Sequence, residues 1–279
     1  MIKKFLKKWI LFSSIGLLLF VAFFFLKYYE TNVEKLIGSE VYHSIFKSKS
    51  KKKGVKTLLL GDSVAKQAYD NYAYNDSLYS LACNQAISVA GHYFLLKYFL
   101  DNYTSPEELD IIFLYRPTSF SNDLDQPVTF NYFLKLFYYQ NDHEQMTSHV
   151  KSQVRKIPLF FLAKYKTIVN SNWSPGYKIG QTSIYDFHIS NTSAEYVRLM
   201  YDLCKKKQVK SFKMLCTYMS DEVEMSDLKS FLADIERHQL SAQFEGYFDK
   251  LVFLDSDLFG DIAHLKTTHI PLYDNYLGL

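Results

Sequence analysis

Three residues in this sequence have the types needed for covalent acyl chemistry. Ser63 stands in KTLLLGDSVAKQAY, residues 56–69, and Asp261 and His264 stand in DIAHL near the far end of the chain. A serine hydroxyl is a weak nucleophile. It needs a base to take its proton, and the base needs a partner that fixes its tautomer and balances its charge. The D-x-x-H spacing sets a carboxylate and an imidazole on one short turn, where the Asp can hold one ring nitrogen while the other faces a hydroxyl. Each fragment alone is weak. Gly-Asp-Ser after an apolar run is also what turn and capping chemistry produces, and His264 could simply pair locally. The second nearby histidine, His269, has no Asp three residues before it.

The elements between them must bring the two ends together. KTLLL reads as a buried strand, SVAKQAYDNYAY as a helix, SLYSLAC as a second strand, GHYFLLKYFLDNY as a helix and LDIIFLY as a third strand. Later, SNTSAEYVRLMYDLCKKKQ opens on cap residues and is amphipathic, SFKMLCTY is strand-like, SDLKSFLADIERHQL is a capped helix and KLVFLD is the last strand. Strands alternating with helices predict an α/β fold with a parallel sheet covered on both faces, and sites in such sheets form at the carboxyl ends of strands. Ser63 follows the first strand and the D-x-x-H follows the last. Between about residues 118 and 190 the rhythm breaks into an insertion. It holds an aromatic helix, PVTFNYFLKLFYYQ, and a Gly-, Pro- and aromatic-rich loop, NWSPGYKIGQTSIYDFH.

On these residues the chain resembles the SGNH, or GDSL-type, hydrolase family over roughly residues 56–279. LLLGDSV is similar to the family's first block, with Ser63 as nucleophile. DIAHL is similar to its last block, with Asp261 and His264 completing the triad. CNQAISVAG is similar to the second block, an Asn-led turn that supplies an oxyanion-hole glycine. The resemblance therefore implies a three-layer α/β/α sandwich of flavodoxin type and an oxyanion hole from the backbone of Ser63 and of Val89 or Gly91. It departs in the third block, where LYRPTSFSND replaces Gly-x-Asn-Asp and no Asn stands at the family's donor position. Asn84, Arg116, Thr118, Ser119 and Asn122 are the candidates for substrate contact. The RPTSF turn is closer to the membrane-anchored SGNH-like proteins of bacterial polysaccharide and teichoic-acid clusters.

The remaining features suit that setting. The chain has 279 residues, enough for one large domain with a full core. No charge falls between Lys8 and Lys27, a run near the thickness of a hydrocarbon core, and Lys3, Lys4, Lys7 and Lys8 precede it. These predict a cytoplasmic N-terminus over residues 1–8, a membrane span over 9–26, a stalk over 27–55 and an extracytoplasmic body from 56 onward. A cleaved signal peptide fits less well, since LKYYETNVEK offers no small-residue cleavage site. Residues 1–56 hold 12 Lys and 3 Glu, whereas residues 57–279 hold 20 basic and 26 acidic residues. A body so balanced has no electrostatic footprint for nucleic acid. The basic KSKSKKKGVK reads as a solvated stalk or a patch on anionic headgroups. Cys83, Cys204 and Cys216 show no metal spacing, and they are expected to be buried and inert. His92 is expected at the surface or rim. No metal or cofactor is expected.

Two functions from different classes follow. One is a membrane-anchored serine esterase or O-acyltransferase that adds or removes acyl groups, acetyl above all, on cell-surface polysaccharide, with or without a membrane partner that delivers the acyl group. The other is an inactive SGNH scaffold that binds polysaccharide or a membrane partner.

Overall fold

A computed structural model of the chain describes residues 2–25, 38–69, 78–126, 128–164, 187–261, 263–274 and 276–277. Leu58, Leu59 and Leu60 are all fully buried in strand β1, Thr57–Gly61. A run this apolar on both faces suits the interior of a parallel sheet. β1 pairs in parallel with β2, Leu78–Ser80, on one side and with β3, Asp110–Leu114, on the other. β3 in turn pairs in parallel with β4, Ser211–Leu215, so the order is β2-β1-β3-β4. The register aligns Gly61 with Leu114 and Leu114 with Leu215. Three strands thus end on one rim, with the Asp62-Ser63 turn above β1.

Alternate side chains enter two apolar clusters. Leu58, Leu60, Ile111, Phe113 and Met214 belong to the larger one, and Leu59, Leu114 and Leu215 to the smaller. The chain is therefore an α/β protein with a central parallel sheet and helices packed on it, an arrangement compatible with a three-layer sandwich. KLVFLD departs from its expected place. Of it, only β6, Phe253–Leu254, is strand, and it pairs with β5, Met219–Ser220, in a separate two-stranded parallel sheet.

The helices follow the sequence pattern with some shifts. α1 runs over Ile2–Phe25. Among the described residues no helix is long and apolar enough to cross a membrane. α2, Ser39–Lys49, lies inside the segment expected to be a stalk, yet it packs on the body. It buries Val41, Ser44, Ile45 and Ser48, a helical stripe that is half serine. Its lysines are not simply solvated either: Lys47 lies over the Tyr79 ring and Lys49 over Tyr98. α3, Ser63–Tyr69, starts at Ser63 itself, and α4 runs over Ser88–Asn102. The aromatic helix of the insertion is a π-helix, Phe130–Asp142. α5, Ser148–Lys156, α6, Asn191–Lys206, and α7, Lys229–Arg237, complete the set. Most of the Gly- and Pro-rich loop expected in the insertion falls at residues 165–186, outside the described residues.

Two expectations about single residues resolve differently. All three cysteines are buried and unbridged, and burial pushes the thiols of Cys204 and Cys216 up to about 12. His92 is not at a rim. It is fully buried in α4, between the rings of Phe113 and Tyr115, and neither ring nitrogen has a hydrogen-bond partner.

Candidate active site

Gly61 sets the approach to the site. A Cβ at this position would run into the Leu114 carbonyl and the Ala65 side chain, so only glycine lets β1, β3 and α3 come this close. Asp62 follows, almost fully buried. Its Oδ1 accepts from the backbone N–H of Val64 at 3.0 Å and of Ala65 at 3.4 Å, and so caps the first turn of α3. Its Oδ2 accepts from the Arg116 N–H at 3.1 Å and the Ser119 hydroxyl at 2.7 Å. The carboxylate thus fixes the Ser63 turn to the loop after β3. Ser119 also lies 2.7 Å from the Gln85 side-chain amide. Its single proton goes to the carboxylate, so Gln85 meets it with the NH2 end. Three loops are tied together around Ser63 by one buried acid.

The second half of the site comes from the C-terminal segment. Phe259 and Leu265 form an antiparallel bridge, and the Gly260 N–H donates to the His264 carbonyl at 2.8 Å. Asp261 and His264 project from this tight loop. Helix α3 holds the segment in place from below: Gln67 donates to the Leu265 carbonyl at 2.9 Å and Tyr69 to the Tyr273 carbonyl at 2.9 Å. The helix that begins at Ser63 therefore also positions the histidine.

The result is a continuous relay. Ser63 Oγ lies 2.9 Å from His264 Nε2, and His264 Nδ1 lies 2.9 and 3.0 Å from the two oxygens of Asp261. With Nδ1–H held by the carboxylate, Nε2 carries the lone pair and faces the hydroxyl. Asp261 Oδ1 also accepts from the N–H groups of Ala263 at 2.7 Å and His264 at 2.8 Å. Partial burial pushes the Asp261 carboxyl upward. The two N–H groups and the His264 ring outweigh that and hold it below its ordinary value. A carboxylate kept ionised beside an imidazole can stabilise an imidazolium as it forms.

Ser63 and His264 open on a cavity of about 240 Å³, walled further by Asn84, Arg116, Thr118 and Asn122. Asn84 caps a 3-10 turn, its side-chain oxygen accepting from Ala86 N–H at 2.9 Å. Ser119 and Asn122 line the cavity too, but both are committed elsewhere. Asn122 donates to the Gln85 carbonyl at 3.0 Å and accepts from the Leu124 N–H at 2.9 Å.

The residues expected to supply second-block oxyanion donors do not reach the cavity. Val89 and Gly91 are buried in the first turn of α4, and neither lines the cavity. The Ile87 side chain covers Gly91 so closely that a Cβ there would clash with it. The turn that does reach the cavity is Asn84-Gln85-Ala86. Sequence spacing from Asn84 missed this because Ser88, at φ 55°, redirects the chain as α4 begins. Gln85 and Ser121, also in the wall, lie inside the CNQAISVAG and LYRPTSFSND stretches but were not among the expected contacts. Among the described residues no group of His, Cys, Asp and Glu could hold a metal ion. The chain matches no protein-family model, no curated protein and no solved structure.

Proposed function

We propose that the protein is a membrane-anchored SGNH-type serine esterase or O-acyltransferase that removes or adds acyl groups, acetyl above all, on cell-surface polysaccharide. The observation that carries this reading is the Ser63–His264–Asp261 relay at the mouth of a cavity. Ser63 Oγ attacks an ester carbonyl while His264 Nε2 takes its proton. Asp261 balances the imidazolium. Collapse of the tetrahedral intermediate breaks the ester C–O bond, and His264 returns the proton to the departing alkoxide. The acyl group then sits on Ser63 until water or a sugar hydroxyl, deprotonated by the same histidine, removes it. Water makes the enzyme an esterase and a sugar makes it a transferase.

Two donors serve the oxyanion in this reading: the Ser63 backbone N–H and the side-chain NH2 of Asn84. The Asn84 oxygen is fixed by Ala86 N–H, which leaves the amide's donor end to the cavity. Asn84 would thus supply from the second block the amide that the third block lacks.

The anchor is α1. Trp9 to Leu19 hold large apolar side chains that are 44 to 71% exposed among the described residues. Four of its residues, all before Trp9, are lysines; the uncharged run of the sequence, residues 9–26, would be about 27 Å long as a helix, close to the thickness of a hydrocarbon core. The lysines before it favour a cytoplasmic N-terminus and an extracytoplasmic body.

A fluorophosphonate probe tests the chemistry. Stable labelling that disappears in both Ser63→Ala and His264→Ala is the expected result. The rival reading, an inactive scaffold, draws on the third-block departure, with the Asn122 amide committed to the Gln85 carbonyl. A folded protein that never labels would favour that rival.

A further inference from the structure

Ser63 stands at the rim where the parallel strands end. The opposite rim, where they begin, is crowded with lysine. Residues 51–56 lead directly into β1 and stay at that end: Lys52 bridges Tyr103 just after α4, and the Lys56 carbonyl accepts from Asp110 N–H as β3 starts. α6 ends at Lys206 and β4 starts at Ser211, so Lys205, Lys206, Lys207 and Lys210 join the same rim. The C-terminal turn of α2 adds Lys49, held over the Tyr98 ring.

Pairing within the rim uses only part of this charge. Asp101 takes Lys97 and Lys207, and Asp110 takes Lys210. Lys51, Lys53, Lys56, Lys205 and Lys206 are exposed and form no ion pair with a described residue. Glu107 and Glu108 oppose them at the rim, and Asp202 does so one turn up α6. The lysines ending α6 also answer its helix dipole. Lys51, Lys53 and Lys56 belong to no helix, so that reason does not reach them. Beside this charge stands Phe46, 67% exposed and three residues before Lys49 on α2. An exposed aromatic ring among lysines is the composition of a face that lies at a membrane interface. The catalytic rim has the opposite character: Asp255, Asp257 and Asp261 are exposed around the His264 loop, with Lys266 beside them.

The chain's path lets the lysine rim meet a bilayer. Residues 26–37 connect α1 to Gly38, and a connection of that length reaches at most about 40 Å. α2 then drops about 16 Å, from the Glu40–Lys66 pair beside α3 towards the lysine rim. The connection is therefore long enough to run from a bilayer under that rim up to Gly38.

We propose that the lysine rim and Phe46 rest on an anionic lipid surface, so that the Ser63 cavity opens away from the bilayer. From Lys56 to Asp62 the chain of β1 rises about 20 Å. A substrate therefore meets the cavity at least that far outside the headgroups, which suits an extended polymer and not a lipid lying in the bilayer. The inference rests on the proposed anchoring by α1. That helix supplies the attachment, and the rim supplies the orientation. A tether keeps the rim at high local concentration, so an attraction too weak to hold a free chain is enough.

The full chain is inserted from outside into preformed vesicles of phosphatidylcholine, alone or with about one quarter phosphatidylglycerol. A fluorophore sits on Thr104→Cys, exposed at the lysine rim, or on Thr267→Cys, exposed three residues after His264. The native cysteines are buried. In the anionic vesicles, energy transfer to a headgroup-labelled lipid should be at least about twofold more efficient from position 104 than from position 267. That order should vanish in phosphatidylcholine alone and in about 1 M NaCl. It should also vanish in the triple variant Lys51→Glu, Lys53→Glu, Lys56→Glu, with the melting temperature held at the wild-type value. Equal transfer from both positions, or an order indifferent to lipid charge and salt, would overturn the proposal. So would capture of soluble polyphosphate by a rim that ignores the anionic vesicles, which would assign the rim to an anionic polymer. Carbonate extraction of the same vesicles tests α1 separately. A chain that resists extraction without the charge-dependent order keeps its anchor and loses this orientation. A chain that is extracted yet shows that order keeps the orientation and loses the anchor.

Discussion

His264 Nε2 stands 2.9 Å from Ser63 Oγ across 201 residues of chain. The contact depends on the carboxyl end of β1 and on α3, which carries the serine at its first residue and grips the histidine's segment through Gln67 and Tyr69. The exposed Asp261 is held to the ring only by its own loop. Asp261→Asn should therefore leave the fold intact and lower kcat by about 10³- to 10⁴-fold, since the amide favours the wrong imidazole tautomer. Steady-state hydrolysis of p-nitrophenyl acetate alongside a melting curve checks this. Full activity in the variant would remove the relay from the mechanism.

Asn84 allows a separation of capping from catalysis. Asn84→Asp keeps an oxygen for the Ala86 N–H but loses the NH2 donor, so kcat should fall by about 10²-fold or more with the melting temperature nearly unchanged. Asn84→Ala should lose the cap as well, at about 1 kcal/mol. If Asn84→Asp keeps wild-type kcat, the oxyanion is served by another group, and Thr118→Val is the next variant to measure.

Much of this arrangement was legible in the sequence. Leucine runs buried on both sheet faces and motifs at two strand ends are local signals, and they placed β1, β3, β4 and the three relay residues. What escaped depended on partners. α2 hid because Ser44 and Ser48 form half of its buried stripe, and a serine that satisfies its hydroxyl on its own helix, as Ser48 does on the Ile45 carbonyl, leaves no hydropathy trace. β6 was read as a strand, but two paired residues cannot announce which sheet they join. Val89 and Gly91 were counted along the chain from Asn84, and a single left-handed residue, Ser88, made that count fail. His92 looked polar by type, and only the packing of Phe113 and Tyr115 shows it as core.

Gly61 is the most sensitive backbone position in the site. Gly61→Ala should destabilise by about 3 kcal/mol or more, because the added carbon meets a strand carbonyl that cannot move away. Chemical denaturation, with the denaturant slope held as a control, measures it. A loss below about 1 kcal/mol would mean that β1 and β3 can separate without cost.

Membrane attachment should reside in α1 alone. A chain starting at residue 28 keeps α2 and its contacts, including the Glu40–Lys66 ion pair at 2.8 Å, and should fold and label with fluorophosphonate. It should also pass from the membrane fraction to the supernatant, whereas the full chain should resist carbonate extraction. Retention of the shortened chain in membranes would locate the attachment in the lysine-bearing α2 face instead.

His92 makes the fold sensitive to acid. Burial lowers its ring to about 3, against an ordinary value of 6.5. Above 6.5 the ring is neutral whether the chain is folded or not, and it has no effect. Below it the unfolded chain takes up a proton that the folded chain refuses, so stability falls as pH drops from 6.5 towards 3. The slope reaches about 1.4 kcal/mol per pH unit at most. His92→Leu should flatten this part of the stability curve and raise stability at neutral pH, because two unpartnered ring nitrogens leave the core. Urea unfolding at pH 7, 6 and 5 reads both effects. An unchanged slope in the variant would mean that the imidazole finds a proton acceptor inside the folded protein.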